Sequence, residues 1–281
     1  PVRAGTVGPG GRRIPRAVTT RSRHRPPIPV LAAAAVAVAF FALPLLGLIR
    51  DASWSTFLAD LSTPDSLSAL RLSLICSLSA TGLSVLFGMP LAWVLARVRF
   101  PGRALVRGLV LLPLVLPPVV GGVALLTAFS RRGLLGEHLY DWFGVQLTFS
   151  TAGVVLAETF VALPFFVITV EAGLRSMDRR YEEAATTLGA RPFTVFRRVT
   201  LPMIAPSVIA GAVLSWARAL GEFGATITFA GNIVGRTQTL PLAIYQELVT
   251  DPDVAVALSL VLLAVSLTVI VSMRDRWLGA S

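Results

Sequence analysis

The chain has 281 residues, of which 54% are hydrophobic and 14% charged, and its mean hydropathy is +0.75. This composition excludes an ordinary soluble domain, in which about a quarter of the residues are charged. The net charge of +10 would suit a nucleic-acid-binding protein. Its distribution excludes that class, because the basic residues lie in an N-terminal tail and in alternate loops between apolar runs, as in a membrane protein.

The residue types that are scarce exclude most catalytic chemistry. The chain contains no lysine, so all 25 basic residues are arginine and no phosphate-binding loop of the G-x-x-x-x-G-K-[ST] type can form. The single cysteine, Cys76, excludes an intrachain disulfide, and two histidines, His24 and His138, are too few for a metal site or a catalytic triad. We therefore expect no catalytic residue, metal or cofactor in this chain.

The N-terminal part consists of a polar tail and one apolar run. Residues 1–29 are rich in arginine, proline and glycine, which predicts a disordered, basic, cytoplasmic tail. Residues 30–50 are too long for the apolar core of a signal peptide and lack a clear cleavage site. They predict an uncleaved first transmembrane helix.

Two further spans follow, at about residues 68–95 and 105–129, and the later one contains prolines in its middle. Pro117 and Pro118 remove backbone hydrogen bonds, so we expect a kink. A membrane tolerates such a break where protein or a water-filled cavity satisfies the freed carbonyls. The two prolines are therefore candidates for the lining of a transport pathway, and kinked packing without that role is the alternative.

Three more spans, at about residues 151–174, 203–230 and 255–271, bring the total to about six and place both termini on one side. The segments expected on that side are residues 1–29, 96–107, 175–198 and 272–281, which hold 19 of the 25 arginines. Positive residues accumulate on the cytoplasmic side of a membrane. We therefore predict a multi-pass protein of the cell membrane with both termini, including the short C-terminal segment 273–281, in the cytoplasm.

A polar segment, residues 176–202, separates the fourth and fifth spans and is predicted to lie in the cytoplasm. Its pattern predicts two short amphipathic helices with a bend between them. Asp178 suits an N-cap, Gly189 can end a helix in the left-handed conformation, and Pro192 suits the first turn of the second helix. The first helix has a small apolar face made of Tyr181, Ala184, Ala185 and Leu188.

The same segment resembles the cytoplasmic loop of the binding-protein-dependent ABC transporter permeases, whose pattern is E-A-A, three residues, G, nine residues, I-x-L-P. Glu183-Ala184-Ala185, Gly189 and Val199-Thr200-Leu201-Pro202 match this spacing, with valine in place of isoleucine. The resemblance implies an all-α permease of the type I importer class whose loop docks on a separate cytoplasmic ATPase subunit, which binds ATP and Mg²⁺. An ordinary solvated loop is the alternative. The coupling residues implied are Glu182, Glu183, Ala184, Ala185, Gly189, Leu201 and Pro202.

A second resemblance, within residues 68–272, concerns the substrate. Gly221–Thr226 reads G-E-F-G-A-T and is followed by Asn232-Ile233, by T-x-T-x-P at Thr237–Pro241 and by Ile244-Tyr245, as in the molybdate-type permeases. It implies a homodimeric permease domain, an extracytoplasmic substrate-binding protein and molybdate as cargo. Tungstate, a close isostere, and sulfate or thiosulfate are the alternatives within the class. A stand-alone secondary transporter is the alternative from another class, but the sequence shows no convincing inverted repeat.

Three charged residues interrupt the apolar spans, at a cost of at least about 2.5–3.5 kcal/mol for each charge at the bilayer centre. Arg218 is expected roughly 22 Å from the cytoplasmic end of its span, and Glu158 roughly 20 Å from the same face. Glu222, one helical turn beyond Arg218, can pair with it directly. One interpretation is that the charges only neutralise each other. The other is that Arg218 also meets the oxyanion near the outer gate, so that Arg218, Glu222 and Glu158 are pathway candidates.

The predicted topology can be tested by cysteine labelling in a Cys76→Ser background. Cysteines that replace Arg99 and Arg191 should be shielded from a membrane-impermeant thiol reagent added outside, because both lie in predicted cytoplasmic segments. Cysteines that replace Ser62 and Arg236 should react. Labelling of the Arg191 position from outside would contradict the topology.

Overall fold

The computed structural model describes residues 27–278, so the predicted tail lies almost wholly outside the described residues. All regular secondary structure in the described part of the chain is helical. In chain order they are α1 (Ile28–Arg50), α2 (Phe57–Leu61), α3 (Pro64–Arg97), α4 (Arg103–Val115), α5 (Pro118–Phe129), α6 (Gly136–Phe143), α7 (Thr151–Ser176), α8 (Arg180–Thr187), α9 (Pro192–Val195), α10 (Leu201–Leu220), α11 (Gly224–Ala230), α12 (Leu240–Thr250) and α13 (Pro252–Leu278). A five-residue π-helical turn, Phe196–Thr200, joins α9 to α10.

Among the described residues, five helical stretches are long and apolar enough to cross a membrane: α1, α3, α7, residues 192–220 and residues 252–269. At 1.5 Å per residue, α1 is about 34 Å long, which exceeds a hydrocarbon core of roughly 30 Å. α1 lies mostly in a unit of its own that ends at Gly47, and the remaining helices belong to a second unit that begins at Leu48.

The core of the second unit lies between α3, α7 and α10. Phe166 on α7 is fully buried at its centre, where the membrane-length helices contact each other along their apolar faces. The buried members of this cluster are Ala92, Leu95, Ala96, Phe166, Val167, Val170, Leu174 and Ile204. This three-helix core fixes the ends of α3, α7 and α10, and Arg97 and Arg218 lie at two of those ends.

Two predicted spans are broken helices. The span at residues 105–129 does not merely kink: the chain becomes extended at Leu116 and Pro117, and α5 begins at Pro118. The span at residues 203–230 is interrupted after Leu220, and α11 begins at Gly224. Proline explains the first break. The second break has no proline, and the sequence analysis did not predict it.

Two other predicted boundaries differ from the structure. α13 continues through Leu278, beyond the predicted end of the sixth span at residue 271, so the predicted C-terminal segment 273–281 begins inside a helix. The outer loop predicted at residues 130–150 contains the short helix α6. Both differences reflect the uncertainty of helix ends when they are read from apolar runs alone.

The half-helices α5 and α11 approach each other at backbone distance. A Cβ atom on Gly224 would lie 2.6 Å from Cβ of Pro118, and a Cβ atom on Gly122 would lie 2.5 Å from Cβ of Thr228. Small residues allow close packing of this kind between membrane helices. The position of α11 therefore sets the position of α5 and of the break before it.

Candidate functional site

The segment between α7 and α10 adopts the predicted two helices and bend. The backbone N–H of Arg180 donates to Oδ1 of Asp178 at 3.0 Å, which satisfies a free donor at the start of α8. Gly189 has φ = +82°, and the N–H of Ala190 donates to the carbonyl of Ala185 at 3.1 Å. These contacts form the glycine-ended helix terminus that the sequence predicts.

The apolar face of α8 is exposed. Leu188 is 88% exposed, and Phe193, just beyond the bend, is 73% exposed. Tyr181 and Ala184 are exposed as well, whereas Ala185 is half-buried. Because this segment lies outside the apolar spans, an exposed cluster of large apolar side chains marks a surface that another protein can cover.

The two glutamates of α8 have different environments. Glu182 Oε1 accepts a hydrogen bond from the hydroxyl of Thr200 at 2.7 Å, and Glu182 Oε2 lies 3.2 Å from Nε of Arg97, the last residue of α3. Glu183 is exposed. Glu182 therefore connects α8 to the ends of α3 and of the π-helical turn, whereas the carboxylate of Glu183 lies on the outer surface.

The final residues of the matched pattern start the next long helix. Leu201 is the first residue of α10, and Pro202 lies in its first turn, where a missing N–H costs nothing. The predicted coupling residues therefore run continuously from α8 through the bend and the π-helical turn into α10. Sequence reasoning did not identify Arg97 or Thr200 as contacts of this segment, because no local pattern pairs them with Glu182.

The predicted pair between Arg218 and Glu222 is present. Nη2 of Arg218 lies 2.6 Å from Oε2 of Glu222, which is 1% exposed. Glu222 Oε1 accepts a hydrogen bond from the backbone N–H of Ala225 at 2.7 Å. One carboxylate therefore neutralises the arginine at the end of α10 and satisfies a free N–H in the first turn of α11.

Arg218 also lines a cavity of about 150 Å³ at the break between α4 and α5. Pro117 and Pro118 line the same cavity, so three of the predicted pathway candidates line one space. The other lining residues are Pro113, Leu114, Leu116, Gly121, Phe160, Val161 and Phe165. At roughly 30 Å³ per water molecule, the cavity has room for a few waters or a small oxyanion next to one guanidinium group.

Glu158 does not join this ion pair. Its side chain is 1% exposed, and Oε2 makes no hydrogen bond to any residue in the described part of the chain. Glu158 forms no ion pair with Arg218 among the described residues, although it lies close enough to Glu222 for the two carboxyl groups to interact electrostatically. Depth along two helices does not determine which faces they turn to each other. An unpaired buried carboxyl group remains costly and therefore marks a functional candidate.

A third buried carboxylate, in addition to those of Glu222 and Glu158, was not predicted. Glu171 on α7 is 2% exposed, and it pairs with Arg175 at 2.7 Å and with Arg107 of α4 at 3.1 Å. Its sequence signal was an acidic residue inside an apolar span, four positions before an arginine. These pairs connect α4 to the end of α7, close to α8.

The geometry can be compared with known proteins. The family model described as "Binding-protein-dependent transport system inner membrane component" matches residues 84–279. The chain is 53% identical over 241 residues to the molybdenum transport system permease protein ModB of Mycobacterium bovis, which covers 85% of this chain and 90% of that protein. It is 39% identical over 236 residues to the sulfate transport system permease protein CysT of Salmonella typhimurium, covering 83% and 85%.

A solved structure shares the fold. A chain in the crystal structure of a bacterial ABC transporter involved in the import of the acidic polysaccharide alginate superimposes with a TM-score of 0.69 at 21% identity. The match covers 90% of this chain and 94% of that one. At this identity the likeness concerns the arrangement of helices alone.

The bend at Gly189 can be tested with a matched pair of variants. Gly189→Val should weaken ATPase association and transport, because valine in a left-handed conformation costs about 1–2 kcal/mol and rotates α9 relative to α8. Gly144→Val is the control, since Gly144 ends α6 with φ = +65° and, like Gly189, has open space around its Cβ position. Pull-down of the ATPase and transport by both variants are measured. Equal behaviour of the two variants would contradict a docking role for the bend.

The ion pair can be tested with neutral variants. Arg218→Gln should lower the transport rate at saturating binding protein by about tenfold or more, because it removes the charged group from the cavity. Glu222→Gln should be milder, because the glutamine oxygen can still accept from Ala225. Restoration of full transport by the double variant Arg218→Gln/Glu222→Gln would confine both residues to a structural role.

Proposed function

Because the chain belongs to the family of binding-protein-dependent transport system inner membrane components, we propose that it is the permease subunit of an ATP-driven molybdate importer. Family membership confirms the predicted all-α permease fold and the resemblance on residues 183–202. The observation that carries the molybdate assignment is the 53% identity to a molybdenum permease along most of both chains, against 39% to a sulfate permease.

The subunit binds a separate ATPase through α8 and the bend after it. The exposed apolar side chains of Tyr181, Leu188 and Phe193 supply the contact surface, and a small apolar helix of this kind fits a groove on a partner. The chain has no lysine for a phosphate-binding loop of its own. In this proposal ATP and Mg²⁺ are bound and ATP is hydrolysed by the partner, while this chain performs no bond-making chemistry.

Two further partners complete the transporter. An extracytoplasmic binding protein delivers the oxyanion, and two copies of this chain enclose the pathway; the binding-protein dependence of the family supports the first of these partners. An apolar groove of about 460 Å³ between α12 and α13 supports the second copy as a neighbour. Phe223, Tyr245 and Leu262 are among its lining residues, and Phe223 is adjacent to the carboxylate that pairs with Arg218.

The orientation follows from the distribution of arginines. The ends of α3 and α7 and the start of α4 meet near α8, and Arg97, Arg103 and Arg175 lie at these ends. At the ends of other helices, the hydroxyl of Ser53 donates to the carboxylate of Asp253 at 2.9 Å. The positive-inside rule assigns the α8 end to the cytoplasm.

The contacts of α8 and α10 suggest how ATP hydrolysis opens the pathway. Movement of α8 with the ATPase displaces Glu182, and therefore Arg97 at the end of α3 and Thr200 at the start of α10. α10 is about 30 Å long and carries the displacement to Arg218 at its other end. A shift of this pair opens or closes the cavity at the α4–α5 break, which is the gate of an alternating-access cycle.

Uptake by cells or proteoliposomes that contain the transporter should be high-affinity for molybdate and inhibited by tungstate. Sulfate should compete only in large excess, because the identity to molybdenum permeases exceeds that to sulfate permeases. Uptake of labelled molybdate at increasing concentrations of each competitor measures this. Competition by sulfate at a concentration equal to that of molybdate would assign the chain to sulfate transport instead.

A further inference from the structure

Five arginines line a single pocket of about 250 Å³ where α3 and α7 end and α4 and α8 begin. The lining residues are Ala96, Arg97, Arg99, Arg103, Arg175, Met177 and Arg179. Within residues 27–278, no carboxylate lines the pocket, and two reach its arginines from outside: Glu171 pairs with Arg175, and Glu182 with Arg97. The pocket therefore has a surplus of positive charge.

The free carbonyl groups at the end of α3 explain why some of these arginines cluster here. Arg103 donates to the carbonyl of Leu95, and Nη2 of Arg179 donates to the carbonyl of Ala96 at 3.3 Å. The last carbonyls of a helix have no partner within it and attract cations. A guanidinium group carries five N–H donors, so one such bond leaves most of them free for another acceptor.

Two arginines of the pocket have donors that the protein does not use. The side chain of Arg97 is only 8% exposed, and its Nη2 makes no hydrogen bond to any described residue. Arg99 is exposed and forms neither an ion pair nor a hydrogen bond with another residue of the described part. A buried guanidinium nitrogen without an acceptor is costly. It indicates a missing anionic partner.

We propose that this pocket binds a tetrahedral oxyanion, such as a phosphate group, carried either by the headgroup of an anionic phospholipid or by a free anion. The fork of a guanidinium group matches phosphate oxygens, and basic pockets between membrane helices on the cytoplasmic side bind lipid headgroups. The site is separate from the Arg218 cavity. It is coupled to α8 in two ways, because Arg97 pairs with Glu182 and Arg179 directly precedes α8.

The contacts of Arg97 and Arg179 determine how a bound anion acts on α8. An anion on Arg97 competes with Glu182 for the guanidinium group, and an anion on Arg179 competes with the carbonyl of Ala96. Occupancy therefore weakens the hold of α3 on α8. The pocket is thus a place where the membrane lipid or the cytoplasmic anion concentration acts on the coupling segment.

Binding is tested on the full chain in complex with its ATPase, with two probes. Inorganic phosphate is titrated by calorimetry in a neutral detergent. Separately, the complex is reconstituted into vesicles of phosphatidylcholine mixed with an equal amount of phosphatidylglycerol, re-extracted, and analysed by native mass spectrometry for retained phosphatidylglycerol. Arg99→Gln and Arg179→Gln are compared with the control Arg132→Gln, which removes one arginine that has no partner among the described residues and lies in the loop after α5.

We expect wild-type protein and Arg132→Gln to bind at least one probe, and Arg99→Gln and Arg179→Gln to bind it about tenfold more weakly. Saturable binding of inorganic phosphate identifies a free anion as the ligand, and retention of phosphatidylglycerol alone identifies a lipid headgroup. The proposal is overturned if wild-type protein binds neither probe, or if the two pocket variants bind as well as Arg132→Gln.

Discussion

The ion pair between Arg218 and Glu222 holds together the part of the structure that contains the proposed gate. A charge inside a membrane is tolerated only with a partner, and here the partner carboxylate also accepts the N–H of Ala225 in the first turn of α11. This contact fixes α11 at the end of α10. Since Gly224 of α11 packs directly on Pro118, it also fixes α5, the break before it, and the cavity that Arg218 lines. Removal of Arg218 alone leaves the buried carboxylate of Glu222 unpaired beside that cavity, which is more costly than removal of both partners.

The opposite end of α10 is held by a second carboxylate. Glu182 contacts Thr200 just before α10 and Arg97 at the end of α3, so α8 is connected to two of the three helices of the core. A single helix of about 30 Å therefore has the proposed coupling segment at one end and the proposed gate at the other. This arrangement needs no flexible relay, because a packed helix moves as a rigid body. The arginine pocket lies beside the α8 contacts, so an anion bound there acts on the same connection.

Local patterns predicted the local features and failed for contacts between distant parts of the chain. Apolar runs predicted the long helices, the glycine at 189 predicted the bend, and the four-residue spacing of Arg218 and Glu222 predicted their pair, because each of these depends on neighbours in sequence. The contacts of Glu182 with Arg97 and Thr200 depend on how helices pack, which periodicity does not specify. The same limit explains why the break after Leu220, which has no proline, was not predicted.

The most direct test is transport by the purified chain in proteoliposomes, with and without its ATPase and with the substrate-binding protein added to the compartment from which the cargo is taken up. The ATPase-bearing face must have access to ATP, and an ion gradient is imposed in parallel samples. Labelled molybdate should be taken up only when the ATPase and ATP are both present, and the gradient alone should drive no uptake. Uptake by the chain without its ATPase, driven by the ion gradient, would contradict the proposed coupling through α8 and assign the chain to a transporter that works alone.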